Sequence, residues 1–398
     1  MPPVSDLLER LGRPPAVAAL DGEDGVYVVG GAVRDLLLGR RPHELDFVVE
    51  GDAVAVARWA AERIGGRVTA HERFGTATVT APEATFDLAA ARRERYPAPG
   101  ALPEVELGAS LREDLERRDF TVNAIALHLA DGELVAVPRA EEDLAARRLR
   151  VLHEGSFADD PTRMLRLARY AARLGFEPDE ATDALVDPEL LRTVTGSRLG
   201  AELRLLLREP QPAALLALER HGLGRALLGD FDVDAELVTR AQALTPPDAR
   251  ADLVALAATL HGRDVRGRLD DLAFPAAERD VVANAVRRAP GLVDSIDADR
   301  HLAEADAPIG DDDLWRVLRA RDPETVALAG AIGSETSARR WLDEVRHRRL
   351  AITGDDVVAA GLYGPRVGEA LDAATEAMLR GEAPDREAQL AAALGRRA

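Results

Sequence analysis

Residues 26–51 read VYVVGGAVRDLLLGRRPHELDFVVEG. An apolar run over 26–29 stops at Gly30-Gly31, and a second apolar run covers 45–49. The spacing predicts a strand, a glycine turn, a helix over 32–38 and another strand. Into these core-forming segments the sequence inserts Arg34, Glu44 and Asp46. Glycines just ahead of a helix let backbone N–H groups approach an anion, and Arg34, one turn in, is placed to reach the same anion. Glu44 and Asp46 are alternate residues, which in a strand share a face. Two carboxylates on one face repel unless water or a cation separates them. Carboxylates bridging metal ions serve two-metal phosphoryl transfer, in which one ion activates a hydroxyl and the other steadies a triphosphate. A strand end with two solvated acids is the plain alternative; the glycine turn and Arg34 upstream favour a metal site.

Working outward, 53–64 has helical periodicity, and 71–80 and 85–89 read as strands. Asp87 lies inside the second of these and is the candidate third carboxylate; a strand-edge acid facing water is its alternative. A Pro/Gly-rich loop, YPAPGALPE, covers 96–104. The segment 111–129 reads as helical. Within it, RRDFTVNAIAL (117–127) offers Arg117 and Arg118 to phosphates and Asp119 to a ribose hydroxyl, with Asn123 one helical turn on. In ADDPTRMLRLARYAARLGF (158–176), Asp159 and Asp160 precede Pro161, which suits a first helical turn. Arg163, Arg166, Arg169 and Arg173 then fall on one broad face. An acid and an arginine one turn apart present an acceptor and donors to a base edge. The blander reading of both segments is a capped helix with a solvated charged stripe. After 143 strand signals nearly vanish, and Leu, Ala and Arg recur at helical spacing.

Composition bounds the rest. The chain has 398 residues, 46% hydrophobic and 30% charged, a globular profile with room for two or more domains. It has no cysteine, which excludes disulfides and thiolate metal sites, so a metal would be held by carboxylates, histidines or water, favouring Mg²⁺ or Mn²⁺. The start, MPPVSDLLERLG, lacks a basic region followed by an apolar core, and no stretch reaches membrane-spanning length, so a cytoplasmic protein without a membrane is expected. The formal net charge is −19, which argues against nonspecific nucleic-acid binding. All 51 basic residues are arginine, the side chain suited to bidentate contacts with phosphates and base edges. RNA contact is therefore expected only along an Arg-lined cleft.

Taken together, VGGAVRDLLLGR, ELDFVVEGDA, HERFGTATV, FDLAAARRERYPAPGALPEV, LREDLERRDFTVNAIAL, VLHEGSFADDPTRMLRLARYAARLGF and the tail ITGDDVVAAGLYGPRVGEAL resemble the class II tRNA nucleotidyltransferase / bacterial poly(A) polymerase family. Several long motifs in the right order carry the resemblance. It implies an α+β polymerase-beta-like nucleotidyltransferase head over 1–140, a helical neck over 141–205 that recognises the base, a helical body over 206–340 and a helical RNA-binding tail over 341–398. It implies addition of CMP and/or AMP to the 3′ end of tRNA from CTP or ATP, with Mg²⁺ or Mn²⁺ and loss of pyrophosphate, and contact with the tRNA 3′ end and acceptor stem. By resemblance Glu44 and Asp46 bind the metals and Asp87 is the third catalytic carboxylate. Gly30, Gly31 and Arg34 hold the triphosphate, and Arg118, Asp119 and Asn123 contact phosphate and ribose. Asp160 and Arg163 read the Watson–Crick edge with Asp159 bracing them, while Arg166, Arg169 and Arg173 face RNA. Protein groups choose the base, because a wrong base leaves preset hydrogen-bonding groups unpaired.

Two departures stand out. The family usually has Asp where this chain has Glu44, and its Asp-Pro-x-Gly-Gly turn is here VPRAEED (137–143). The loop from 96 and the phrase VLHEGSFADDPTR lean toward the A-adding branch. A poly(A) polymerase ranks lower, since the terminal GRRA falls short of a basic extension. A degenerate homologue that binds tRNA or nucleotide without turnover is the competing reading raised by Glu44.

Overall fold

The computed structural model describes residues 6–42, 44–260, 265–298 and 309–395. The chain divides into two compact units, 1–206 and 207–398. The first contains nine longer strands: β1 (Val26–Val29), β2 (Asp46–Val49), β3 (Arg67–His71), β4 (Thr76–Ala81), β5 (Ala84–Ala90), β6 (Arg92–Arg95), β7 (Glu104–Leu107), β8 (Ile125–His128) and β9 (Leu134–Ala136). Its helices are α1 (Leu7–Leu11), α2 (Pro15–Ala19), α3 (Gly31–Leu37), α4 (Ala53–Ile64), α5 (Leu111–Glu116), α6 (Ala140–Ala145), α7 (Ser156–Asp159), α8 (Thr162–Leu174), α9 (Glu180–Ala184) and α10 (Gly196–Leu207). In the second unit every regular element among the described residues is a helix. No described helix is long and apolar enough to cross a membrane. The α+β head followed by helices is the fold class the sequence implied.

Seven strands form one mixed sheet in the order β3-β4-β5-β2-β1-β8-β9, and β6 and β7 make a separate hairpin. Strand β2 lies centrally, antiparallel to β1 and parallel to β5. Phe47, Val48 and Val49 are all buried, as expected for a strand covered on both faces, while Asp46 at its start is exposed. Strand β5 alternates instead: Phe86 and Leu88 point inward and Asp87 outward. The register sets Asp46 directly beside Asp87. Helix α4 is held at both ends by local chemistry. The Asp52 carboxylate accepts from the Val54 and Ala55 N–H groups, and Gly65 closes the C-terminus in the left-handed conformation.

Three expectations need correction. The segment 71–80 is not one strand: β3 ends at His71, a 3₁₀ turn covers Glu72–Phe74, and β4 returns antiparallel. The segment 111–129 is not one helix. It holds α5, a 3₁₀ turn over Thr121–Asn123 and β8, whose Ile125, Ala126 and Leu127 are buried in the sheet beside β1. Glu44 precedes β2 in a bend, so strand alternation is not what brings it near Asp46.

Candidate active site

At one end of β1 and β2 the first unit opens into a cleft of about 370 Å³. Gly30, Gly31 and Asp46 line it from the sheet side, Arg118, Asp119 and Asn123 from the segment after α5, and Asp160, Arg163 and Arg166 from α8 and its approach. Segments more than a hundred residues apart thus converge on one space. Glu94, Tyr96, Arg117, Thr162, Tyr170 and Glu202 complete the wall.

Gly30 makes the turn. It has φ 66° and ψ −124°, a backbone combination that an L side chain does not adopt readily. Its N–H donates to the Ile125 carbonyl at 2.8 Å, tying the turn to β8. A Cβ here would lie 2.9 Å from Arg118 Nη1. Gly30→Ala is therefore expected to cost about 1–2 kcal/mol of stability through backbone strain alone. It should also push Arg118 out of the cleft and weaken nucleotide binding. Urea denaturation and equilibrium dialysis with ATP check this; unchanged values in both would refute it.

Arg117 and Arg118 owe their placement to Asp114, whose side chain is fully buried. Asp114 Oδ1 accepts from Arg117 Nε and Nη2 at 3.0 and 2.7 Å, and Oδ2 accepts from Arg118 Nη2 at 3.1 Å. Burial pushes the Asp114 pKa up, but the two guanidinium groups outweigh it and hold it below the usual carboxylate value. Arg117 also donates to Glu94 Oε1 at 2.7 Å, which draws the β6 hairpin to the cleft. The preset charges can act on an anion without reorganising.

Asp119 is buried and well partnered. Its Oδ1 accepts from the Phe120 N–H at 2.8 Å and Asn123 Nδ2 at 3.0 Å; its Oδ2 accepts from Arg166 Nε at 2.8 Å and is ion-paired with Arg166 Nη2 at 2.6 Å. Three hydrogen bonds and the ion pair favour its charged form. Asn123 in turn accepts from Arg34 Nη1 at 2.6 Å. The expected Asp119–Asn123 partnership exists, through a hydrogen bond across a turn and not along a helix. Arg34 departs from expectation: at 2% exposure it lies beneath the glycine turn, bound to Asn123 and to Asp35 at 2.9 Å, and does not line the cleft. Its packing partner is Tyr170, whose ring also sits 5.5 Å from the Arg166 guanidinium and 5.1 Å from that of Arg169.

Asp160 and Arg163, the pair expected to read the base, also line the cleft. Asp160 Oδ1 accepts from the Thr162 N–H and hydroxyl at 3.1 and 2.7 Å and from Arg198 Nη2 at 2.9 Å. Arg163, buried, donates to Ser156 Oγ and to the Arg117 carbonyl, both at 2.7 Å, and stands 5.9 Å from the Tyr96 ring. Asp159 points into a neighbouring hollow, 3.7 Å from His153 Nε2. The stripe on α8 divides. Arg166 faces the cleft. Arg169 is buried with 6% exposure beside Glu202, which corrects its expected place on an RNA-facing surface. Arg173 is exposed.

Asp46 opens toward the cleft mouth, and an adjoining hollow contains Asp46, Asp87, Thr78, Arg117 and Arg118. Desolvation raises the Asp46 pKa, as do the carboxylates of Asp87 and Glu44, while Arg118 pulls it down. Thr78 Oγ1 donates to Asp87 at 2.5 Å. Among the described residues no three carboxylates or histidines gather closely enough to hold an ion. Asp46 and Asp87 nonetheless form a pair of hard oxygen donors under mutual repulsion, a donor set that suits a hard divalent cation.

A sequence model of the poly A polymerase head domain matches residues 26–150. The chain is 32% identical over 423 residues to the "Multifunctional CCA protein" of Xanthomonas campestris pv. campestris, covering 88% of this chain and 96% of that one. This chain belongs to the class II tRNA nucleotidyltransferase family. It is also 33% identical over 393 residues to the "A-adding tRNA nucleotidyltransferase" of Geobacter sulfurreducens, across 92% of this chain and 44% of that protein. Over the matched residues the chain spans between 24% and 55% of the lengths of the first four curated relatives. Two of the others are also named A-adding and one CC-adding. Among solved structures, the Thermotoga maritima CCA-adding enzyme complexed with tRNA superposes with TM-score 0.75 at 25% identity, over 98% of both chains. CCA-adding enzyme structures with ATP and with CTP are similar too, with TM-scores of 0.78 and 0.77.

The motifs announced most of this cleft. Asp114, Tyr170, Arg198 and Glu202 were missed. Tyr170 had a signal, an aromatic residue four positions from Arg166 in a charged stripe; Asp114, Arg198 and Glu202 had none beyond ordinary helix composition.

Proposed function

We propose that this chain is a template-independent tRNA 3′-terminal nucleotidyltransferase that adds CMP and/or AMP from CTP or ATP, with A addition as the first expectation. The carrying observation is that the glycine turn, Asp46, the Arg117–Arg118 pair and the Asp160–Arg163 pair share one cleft. The relatives' names and the solved complexes with tRNA, ATP and CTP support the reading. The working compartment is the cytoplasm. Residues 1–140 act as the catalytic head, 141–205 as the neck, 206–340 as the body and 341–398 as an RNA-binding tail.

In this reaction the 3′-hydroxyl oxygen of the RNA bonds to the α-phosphorus, the bond from that phosphorus to the β-bridging oxygen breaks, and pyrophosphate leaves. Arg117 and Arg118, with the Gly30-Gly31 turn, take the triphosphate, and Asn123, held between Arg34 and Asp119, keeps that wall rigid. Asp160 accepts from the exocyclic amino group shared by cytosine and adenine, and Arg163 donates to the ring nitrogen beside it. Uracil offers no such amino group, so it leaves the half-buried Asp160 acceptor without that donor. Arg173, exposed on α8, is the arginine of the stripe placed to meet RNA phosphates outside the cleft. Mg²⁺ or Mn²⁺, held by Asp46 and Asp87 with Glu44 nearby, would supply activation of the attacking hydroxyl and neutralisation of phosphate charge. The acids lie on two adjacent strands, so their spacing is set by the sheet.

The reading separates from its alternatives by RNA choice. Labelled ATP and CTP supplied with a tRNA lacking its 3′ terminus and with an unrelated RNA should label only the tRNA, by one to three residues. Long adenylate ladders on both would establish a poly(A) polymerase instead.

A further inference from the structure

The second unit contains a pocket of its own, of about 720 Å³. Small-ligand sites run from about 300 to 1,000 Å³. Its walls come from the helix Asp311–Leu318 and the turn after it, the helix Glu335–Asp343, and the 3₁₀ turn Val345–His347 with the two arginines that follow. Two of the chain's three tryptophans, Trp315 and Trp341, line it. Trp341, only 5% exposed, forms the inner wall, while Arg348 and Arg349 are exposed at the rim. An indole ring offers a flat face on which a nucleobase stacks.

The pocket is also cationic. Arg319, Arg321, Arg346, Arg348 and Arg349 line it, against the single acid Asp248. Two of these arginines are committed. Arg346 donates to Asp248 Oδ2 and Oδ1 at 3.0 and 2.6 Å, and Arg319 packs 4.5 Å from the Trp315 ring and pairs with Asp372. The other three make no ion pair with a described residue. Arg321 Nε is shielded from water and has no hydrogen-bond partner among the described residues. Arg349 donates only to the main-chain carbonyls of Arg346 and Arg348. In a chain with 70 acids and 51 arginines, an acid partner is easily found. Three guanidinium groups without one, around a single pocket, mark a place for an anion with several oxygen acceptors.

We propose that this pocket binds a free nucleoside di- or triphosphate, with its base toward Trp341 and its phosphates on Arg321, Arg348 and Arg349. The charge pattern favours a free nucleotide over a stretch of RNA. Each RNA phosphodiester carries a single negative charge, spaced along the strand. A terminal di- or triphosphate gathers several charges in one place, as the three guanidinium groups do. A base within a duplex is also paired and closed to an indole. The site lies wholly within the second unit, and its occupancy requires no transfer reaction.

The tryptophans supply the readout. The third one, Trp59, lies in α4 beside Arg63. In the full chain carrying Trp59→Phe, all indole emission comes from Trp315 and Trp341. That protein is titrated with ATP, GTP, adenosine, inorganic triphosphate and tRNA. ATP and GTP should each change the emission saturably, adenosine at the same concentrations should not, and inorganic triphosphate should compete with both nucleotides. Arg321→Ala and Arg348→Ala should each raise the nucleotide dissociation constant about tenfold or more, the size expected for one lost charge-assisted hydrogen bond. Arg348→Lys should keep part of the affinity. Arg348 is exposed, so its variants test the site without disturbing the fold. No saturable response to either nucleotide would overturn the proposal, as would unchanged dissociation constants in both alanine variants. A response to tRNA with none to free nucleotides would assign the pocket to RNA and overturn it too. Emission is read without any transfer, so failure of the nucleotidyltransferase reading and failure of this one are distinguishable.

Discussion

Asp46→Asn should abolish nucleotide transfer, lowering the rate by about 10³-fold or more, equivalent to ~4 kcal/mol of barrier. The expectation follows from position. Asp46 is the first residue of the central strand, exposed where its three successors are buried, and it lies beside Asp87 at the cleft mouth. Asparagine keeps the shape and removes the charge on which both hydroxyl activation and cation binding depend. RNA binding should change little, since the arginines proposed to meet phosphates lie elsewhere. Transfer rates under single-turnover conditions, with tRNA affinity measured alongside, check the split. Equal loss of binding and transfer would show that Asp46 serves the structure and not the reaction. The same comparison at Glu44 asks a narrower question. Glu44 approaches Asp46 from a bend and not from the strand, so Glu44→Asp is expected to be tolerated better than Asp46→Glu.

Asp119→Ala should destabilise the first unit by about 3–5 kcal/mol, the cost of breaking a buried ion pair from one side. It leaves Arg166 without its main partner, Asn123 without one acceptor and the Phe120 N–H without another. Burial by itself would raise the Asp119 pKa, but Arg166 and the hydrogen bonds from Asn123 and Phe120 outweigh it and hold it below the ordinary carboxylate value. A carboxylate depressed in the folded state contributes stability that is complete above its unfolded pKa, near 4, and is lost as pH falls through the lower folded value. The stability gap between wild type and Asp119→Ala should therefore be full at pH 7 and begin to close below about pH 4. Urea unfolding at pH 7, 4 and 3 checks this. A gap independent of pH would mean that the charge of Asp119 does not carry its effect.

The parts of this molecule that were legible in its sequence are those in which local pattern and tertiary role agree. The β1–turn–α3 segment reads directly, because the apolar run, the glycines and the helix each have a local signature. The failures came where the pattern admits two answers. AIAL at 124–127 fits a buried helix segment as well as a buried strand, and periodicity does not separate short apolar runs. Only pairing with β1, a partner almost a hundred residues upstream, decides it. The arginine stripe of α8 posed the same problem in charge. Helical spacing put Arg166 and Arg169 on one broad face, but which way that face turns depends on Asp119 and Glu202, which arrive from other segments. Part of a stripe that looks solvated in isolation is enclosed, Arg169 beside Glu202, while Arg166 pairs with Asp119 at the cleft wall. Arg34 was misplaced for a related reason: its distance from the glycine turn was right, but Asn123 and Asp35 draw it underneath.

The central claim is that this cleft performs nucleotide transfer to tRNA. The direct measurement incubates the chain with Mg²⁺, labelled CTP or ATP, and three tRNA transcripts ending before CCA, after C and after CC. The account predicts label at the 3′ end of at least one transcript, with ATP on the CC-ending transcript as the first expectation, and no label from UTP. Absence of label on all three, from a folded protein that still binds tRNA, would contradict it.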